Sequence, residues 1–206
     1  MARVKIPVFM FDMGNVLVDF SETRLVRILS EASGISFEEI WNTRFDDDLQ
    51  AVETGQLSPE DYFERQVRVK VPEWEYEDLV QLWYDVFDIN PRGTGLFNDL
   101  LGNGCSAYVL SNLAEFNKIA VERKYPEIFE KSTGNFFSYE LGYVKPDAEI
   151  YEQASQHAGV HPEDCVFLDD RIENVKGAQR AGWKAFHFTP ETEGAVEQEI
   201  RRLAGI

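Results

Sequence analysis

The residues of this chain best suited to chemistry are Asp12, the pair Ser111-Asn112, Lys145 and the pair Asp169-Asp170. Three of these sets directly follow a short apolar run: Val8-Phe9-Met10-Phe11, Tyr108-Val109-Leu110 and Val166-Phe167-Leu168. A carboxylate can attack as a nucleophile or bind a hard cation. A hydroxyl and an amide can hold the oxygens of an anion, and a lysine adds fixed positive charge. Taken singly, each has a plainer reading. An Asp after a strand is commonly a turn former or helix cap. Asp169-Asp170 can cap a helix and stabilise its dipole, and Lys145-Pro146 can be an ordinary exposed loop.

Short continuous apolar runs read as strands buried on both faces, the pattern of a parallel sheet. In an open parallel sheet the carboxyl ends of the strands share one edge, where ligands bind. The polar residues that close the three runs are therefore expected to meet there, although they are far apart in the chain. From Gly93 onward the pattern alternates helix and strand. A helix near Leu96–Leu101 leads to the strand ending at Leu110, and helix Glu115–Lys124 to a short strand around Phe136–Tyr139. Helix Asp147–Ala158 precedes the strand ending at Leu168, and helix Asn174–Ala181 a last strand near Trp183–Phe188. Such alternation implies right-handed βαβ units and a sheet covered on both faces.

Between the first strand and this region, residues 21 to about 88 read as consecutive helices. Ser21 opens one that stops at Gly34, and Ser36-Phe37-Glu38-Glu39 fits a capping box. Asp46–Thr54 ends at Gly55, Ser58-Pro59-Glu60-Asp61 supplies a further start, and Glu75–Phe87 is amphipathic. The fold class expected is α/β: a Rossmann-like parallel sheet with helices on both faces, plus an all-α helical cap inserted after the first strand. The boundaries implied are 1–20 and 89–206 for the core and 21–88 for the cap. A cap at that point stands over the strand edge and can exclude water.

A net charge of −17 is a poor match for nucleic acid or anionic membranes. Any phosphate site would need a local positive focus from a metal ion, a lysine or backbone amides. No stretch approaches a membrane span or a signal peptide, so a soluble cytoplasmic protein is expected. Cys105 and Cys165 read as reduced thiols outside any zinc-ligand spacing. His157, His161 and His187 read as surface or packing residues. Trp41, Trp74 and Trp83 either pack between the cap helices or offer a partner surface.

Four motifs now stand in order: Phe11-Asp12-Met13-Gly14-Asn15-Val16-Leu17, Ser111-Asn112, Lys145-Pro146 and Asp169-Asp170-x-x-x-Asn174. In order and rough spacing they resemble the four motifs of the haloacid dehalogenase superfamily, over nearly the whole chain from Phe9 to Ala181. The first motif is similar to that of small sugar-phosphate phosphatases reading Asp-x-Gly-Asn-Val. The resemblance implies a phosphatase acting on a small phosphorylated metabolite, as a monomer or homodimer. Asp12 would be the nucleophile, forming an aspartyl-phosphate. Mg²⁺ would relieve the repulsion between carboxylate and phosphate dianion, held by Asp12, Asp170 and the backbone carbonyl of Gly14. Asp169 would ligate the metal directly or act from behind it through a water. Ser111 and the Asn112 amide would grip the phosphoryl oxygens, with Lys145 adding charge, and Asn174 would support Lys145 and Asp169.

One position departs from the pattern. Most phosphatases of the superfamily carry a second aspartate two residues after the nucleophile, as general acid and base; this chain has Gly14. A substitute acid from Asp19, Asp46, Asp47 or Asp48 is one answer. A leaving group that needs little protonation is a second, and a weakly active phospho-ligand-binding protein a third. A metal-independent 2-haloacid dehalogenase also lacks that aspartate, but it lacks the paired acids of the fourth motif as well.

Overall fold

The computed structural model describes residues 7–43 and 48–206. Five parallel strands form the central sheet: β1 (Val8–Phe11), β4 (Ala107–Ser111), β5 (Gly134–Phe137), β6 (Cys165–Asp169) and β7 (Lys184–His187), in the spatial order β5-β4-β1-β6-β7. The order reverses direction beside β1, which makes the carboxyl edge of β1, β4 and β6 the natural crevice. Phe11 pairs with Val109 on one side and Leu168 on the other. That register sets Asp12 level with Asp169 and one step short of Ser111. The ladder continues past the strand, with the Asp12 N–H donating to the Leu168 carbonyl at 2.9 Å.

Alternate residues of β1 enter two separate cores, which is why its run is apolar without interruption. Val8 and Met10 pack with Phe167 against α10 (Ala148–Ala158) and α11 (Ile172–Arg180), through Ile150, Tyr151 and Val175. Phe9 and Phe11 face the other way. They join Leu96 and Phe97 of α6 (Pro91–Gly102), Phe116 of α7 (Glu115–Lys124) and Ile200 of α12 (Glu193–Ala204). The expected α/β class with both faces covered is thus observed.

Several limits differ from the sequence reading. The strand expected at Phe136–Tyr139 begins at Gly134 and yields after Phe137 to the short helix α9 (Ser138–Leu141). Helix α6 starts five residues before Leu96, because Asn90 caps it through Arg92 and Gly93 and Pro91 takes the first helical position. Helices α8 (Pro126–Lys131) and α12 were not anticipated. Cys105 and Cys165 are free, as expected. Among the described residues no helix is long and apolar enough to cross a membrane.

The helical insertion comprises α1 (Glu22–Ser33), α2 (Phe37–Thr43), α3 (Leu49–Glu53), α4 (Pro59–Tyr62), which runs on into a π-helical turn at Phe63–Val67, and α5 (Tyr76–Val86). Two short antiparallel strands, β2 (Val18–Asp19) and β3 (Asp88–Ile89), tie its entry to its exit. The hydroxyls of Ser21, Ser36 and Ser58 accept from the N–H groups of Arg24, Glu39 and Asp61 at 3.1–3.2 Å, as their sequence signatures implied. Helix α3 starts at Leu49, whereas a start at Asp46 was expected; Asp46 and Asp47 lie outside the described residues. Trp41, Trp74 and Trp83 are each partly buried against the core. Trp83 stacks on Phe20, Phe87 and Phe116, at centroid distances of 5.4, 5.4 and 6.2 Å, so one aromatic column joins insertion and sheet domain.

The loop after Asp12 is clamped from behind. A Cβ on Gly93 would come within 1.7 Å of the Val16 carbonyl oxygen, so only glycine allows α6 to seat against this loop. Gly93→Ala is expected to cost about 1–3 kcal/mol or more, read as a lower urea midpoint at unchanged m-value. Gly95→Ala on the same helix, where a Cβ meets nothing within 4 Å, should leave the midpoint unchanged or raise it.

Candidate active site

Four chain segments converge at the strand edge on one buried lysine. The Lys145 ammonium lies 2.8 Å from Asp12 Oδ1 and 2.7 Å from Asp169 Oδ2, and donates to the Leu110 carbonyl at 3.1 Å. Its position is set by the backbone as well. Asn112 Nδ2 donates to the Lys145 carbonyl at 2.9 Å, and the Lys145 N–H donates to Asn112 Oδ1 at 2.7 Å. The side chain of Asn112 therefore splices the end of β4 to the lysine loop. Burial works against the Lys145 charge, but Asp12 and Asp169 outweigh it and hold the ammonium above its ordinary range.

Asp169 is fully buried and saturated with donors. Asn174 Nδ2 reaches both its oxygens at 3.0 Å, the Arg171 N–H donates to Oδ1 at 2.8 Å, and Lys145 takes Oδ2. Tyr151 in turn donates to the Asn174 carbonyl at 2.8 Å. Asp12 and Asp170, by contrast, both line an open cleft. Burial pushes the Asp12 carboxyl above the ordinary carboxylate range, Lys145 pulling it down and Asp169 pushing it further up. Asp170 is also raised by burial, with the hydrogen bond from Asn15 opposing. Carboxylate oxygens of Asp12, Asp169 and Asp170 lie within 4.8 Å of one another. Three clustered acids, of which burial raises Asp12 and Asp170, are what a hard divalent cation would relieve, and an all-oxygen donor set suits one.

Every residue that the four motifs assign a role is at this edge. Asp12, Gly14, Ser111, Asn112, Lys145, Asp170 and Asn174 line the cleft, and Asp169 stands directly behind them. Sequence reasoning missed Asn15 and His187. Asn15 adopts a left-handed φ of 53°, donates to Asp170 Oδ2 at 2.9 Å and accepts from the Phe20 N–H at 3.1 Å. It thereby ties the first motif to the fourth, and Asn tolerates that backbone region better than most residues. His187 Nε2 sits 2.8 Å from the Asp170 carbonyl.

The cleft has a volume of about 640 Å³. Its outer wall comes from the insertion: Leu49 and Glu53 of α3 and Trp83 of α5, with Phe20 and Phe87 beside them. A second chamber of about 300 Å³ adjoins it, lined by Leu25, Val26, Ile40, Trp41 and Tyr62, and Glu53, Trp83 and Arg171 border both. Of the acids considered as replacements at Gly14, Asp19 accepts from Asn90 Nδ2 at 2.8 Å and Asp48 from Gln66 Nε2 at 2.9 Å; neither lines the cleft. Glu53, which was not considered, does.

Comparison with known proteins places this geometry among relatives. A family model described as haloacid dehalogenase-like hydrolase matches residues 6–182. A sesquiterpene phosphatase of Aspergillus oryzae is 27% identical over 95% of each chain. A D-ribitol-5-phosphate phosphatase of Bacteroides thetaiotaomicron is 25% identical over 92% of this chain and 94% of its own. The crystal structure of a Bacteroides thetaiotaomicron enzyme, solved in complex with magnesium and inorganic phosphate, superimposes with a TM-score of 0.77. It covers 90% of this chain and 94% of its own at 22% identity, a likeness of fold.

Proposed function

Because the chain belongs to the haloacid dehalogenase-like hydrolase family, we infer that it is a phosphoric monoester hydrolase working through an aspartyl-phosphate at Asp12. The observation that carries this reading is the buried Lys145, held between Asp12 and Asp169 with Asp170 at the cleft wall. An attacking carboxylate, fixed positive charge and two further acids are the parts that phosphoryl transfer to a side chain needs. The named activities of the two phosphatase relatives support it.

Asp12 and Asp170, which face the cleft, would hold a divalent cation, with the Gly14 carbonyl as a further oxygen. A bound cation of this kind screens the negative charge between carboxylate and phosphate. We take it to be Mg²⁺: the donors are all oxygen, and the Bacteroides thetaiotaomicron enzyme of the same fold was solved with magnesium and phosphate. Asp169, saturated by its own donors, would act from behind by fixing Lys145. Asp12 Oδ attacks phosphorus, the bond to the ester oxygen breaks, and Ser111 Oγ and the Asn112 N–H hold the phosphoryl oxygens. We assign residues 21–88 to the cap that selects the substrate, over a core of 1–20 and 89–206. The apolar lining of the second chamber supports a phosphomonoester of an alcohol with an apolar body, in preference to the sugar phosphate expected from the sequence.

Phosphate release from a panel of monoesters with Mg²⁺ tests this reading. Removing divalent cations with EDTA is expected to abolish release and adding back Mg²⁺ to restore it. Chloride release from 2-haloacids that survives EDTA would favour the metal-independent dehalogenase reading instead. Binding of phosphorylated ligands without release would favour the ligand-binding one.

A further inference from the structure

The two chambers adjoin, sharing Phe20, Glu22, Glu53, Trp83 and Arg171 in their linings. Asp12, Ser111 and Lys145 line the first; Leu25, Ile40 and Trp41 line the second. In-line attack places the ester oxygen on the side of phosphorus away from Asp12. The adjoining apolar chamber offers the organic group a place on the wall that both chambers share. Among the described residues four acids line the cleft: Asp12, Asp170, Glu22 and Glu53. The first two belong to the strand edge. Glu22 is exposed in the first turn of α1, where the helix dipole favours its anion. Glu53 remains.

Glu53 is partly buried at the last residue of α3 and borders both chambers. It is held there by its neighbours. Thr54 Oγ1 donates to the Gln50 carbonyl at 2.8 Å. Gly55, at a left-handed φ of 70°, seats so tightly on α9 that a Cβ would come 2.4 Å from the Tyr139 carbonyl. The end of α3 is thus docked on the sheet domain beside the site. Burial pushes the Glu53 carboxyl up to about 7, with Arg171 and Lys145 pulling it down. The other ionisable groups of its surroundings are Glu22, Asp12 and Asp170 in the cleft, Tyr62 in the second chamber, Glu60 and Asp61 on α4, and Tyr139 and Glu140 on α9.

We propose that Glu53, reaching the cleft from the insertion, is the general acid and base that the core lacks at Gly14. The proposal rests on the aspartyl-phosphate reading. As Asp12 Oδ bonds to phosphorus, the P–O bond to the alcohol breaks and its electron pair stays on the alcohol oxygen. The Glu53 carboxyl gives that oxygen its proton, leaving a neutral alcohol and a glutamate carboxylate. The carboxylate then takes a proton from a water molecule as the water oxygen bonds to phosphorus. The P–O bond to Asp12 breaks, its electrons return to the Asp12 carboxylate, and inorganic phosphate leaves with Glu53 protonated again. Simple alcohols, as poor leaving groups, depend on the first proton; a nitrophenol does not. A general acid at Glu53 therefore lets the site turn over alkyl phosphates.

Glu53→Gln, Glu53→Asp and Asp12→Asn, compared with the parent on hexyl phosphate and p-nitrophenyl phosphate with Mg²⁺ by rapid quench, test this assignment. Glu53→Gln is expected to lose about 10²- to 10⁴-fold in turnover of hexyl phosphate. On p-nitrophenyl phosphate it should release a burst of nitrophenol approaching one equivalent per enzyme, then turn over slowly, because only the return of water is impaired. Glu53→Asp, which keeps an ionisable carboxyl, should retain at least about tenfold more turnover than Glu53→Gln. Equal activities for the two variants would overturn the assignment, since a merely structural side chain does not distinguish them. So would Glu53→Gln turnover within about threefold of the parent on hexyl phosphate, and if Asp12→Asn is inactive the nucleophile reading then stands. No release by the parent from any monoester overturns both.

Discussion

Asp12→Asn is expected to lower phosphate release by on the order of 10⁴-fold or more, with the fold intact. The substitution keeps the volume of the side chain and an oxygen that can still accept from the Met13 N–H, now at 2.7 Å from Oδ1. Lys145 retains Asp169 as its partner, so no buried charge is left alone. What is lost is the negative oxygen proposed to attack phosphorus, together with one of the two acids that face the cleft and would hold a cation. Both losses act on the same step and are not additive. Thermal unfolding followed by circular dichroism, beside phosphate release under saturating substrate, separates the catalytic loss from any structural one. A loss of stability large enough to explain the lost activity would count against the assigned role.

Lys145→Met should be costly in both stability and activity. The methionine fills the space of the lysine stem, but it leaves Asp12 and Asp169 buried with no counter-charge. Removing one partner of a buried ion pair costs about 3–5 kcal/mol. The loss should appear in EDTA as a lower urea midpoint. Added Mg²⁺ should recover part of it, because a cation bound only by the folded state stabilises that state. Release of phosphate should fall by about 10²- to 10³-fold even with Mg²⁺ present, the usual scale for one preorganised charge at a reacting oxygen. A variant as stable as the parent in EDTA would contradict the buried triad described here.

The strand edge was legible because β1, β4 and β6 are buried on both faces, so their apolar runs are continuous and the first polar residue after each marks its carboxyl end. The edge strand β5 was placed late because Gly134 and Asn135, its first two residues, have low strand propensity; pairing with Tyr108 and Val109 makes them a strand. Strands β2 and β3 are two residues each, too short to show a period. Helix α12 carried a readable signal, since Val196, Ile200 and Leu203 recur at helical spacing. Asn15 too stood in plain view in the first motif, and only the tertiary fold reveals that its amide reaches Asp170.

Glu53 was not legible at all. An acid ending a short helix looks like a solvated charge, and nothing local says that its surroundings are a cleft. Its place depends on Gly55 docking against Tyr139, a contact between segments more than eighty residues apart in the chain. Asp19 and Asp48 were better candidates by type and proximity to the motif, yet Asn90 and Gln66 engage them elsewhere.

The central claim is that phosphorus becomes bonded to Asp12, and acid-quenched peptide mapping tests it most directly. Glu53→Gln, mixed with p-nitrophenyl phosphate and Mg²⁺ and quenched within the burst, should carry one phosphoryl group on the peptide containing Asp12. The label should vanish on treatment with neutral hydroxylamine, as an acyl phosphate does. Turnover of the substrate by a protein that is never labelled at Asp12, or that is labelled elsewhere, would contradict the account.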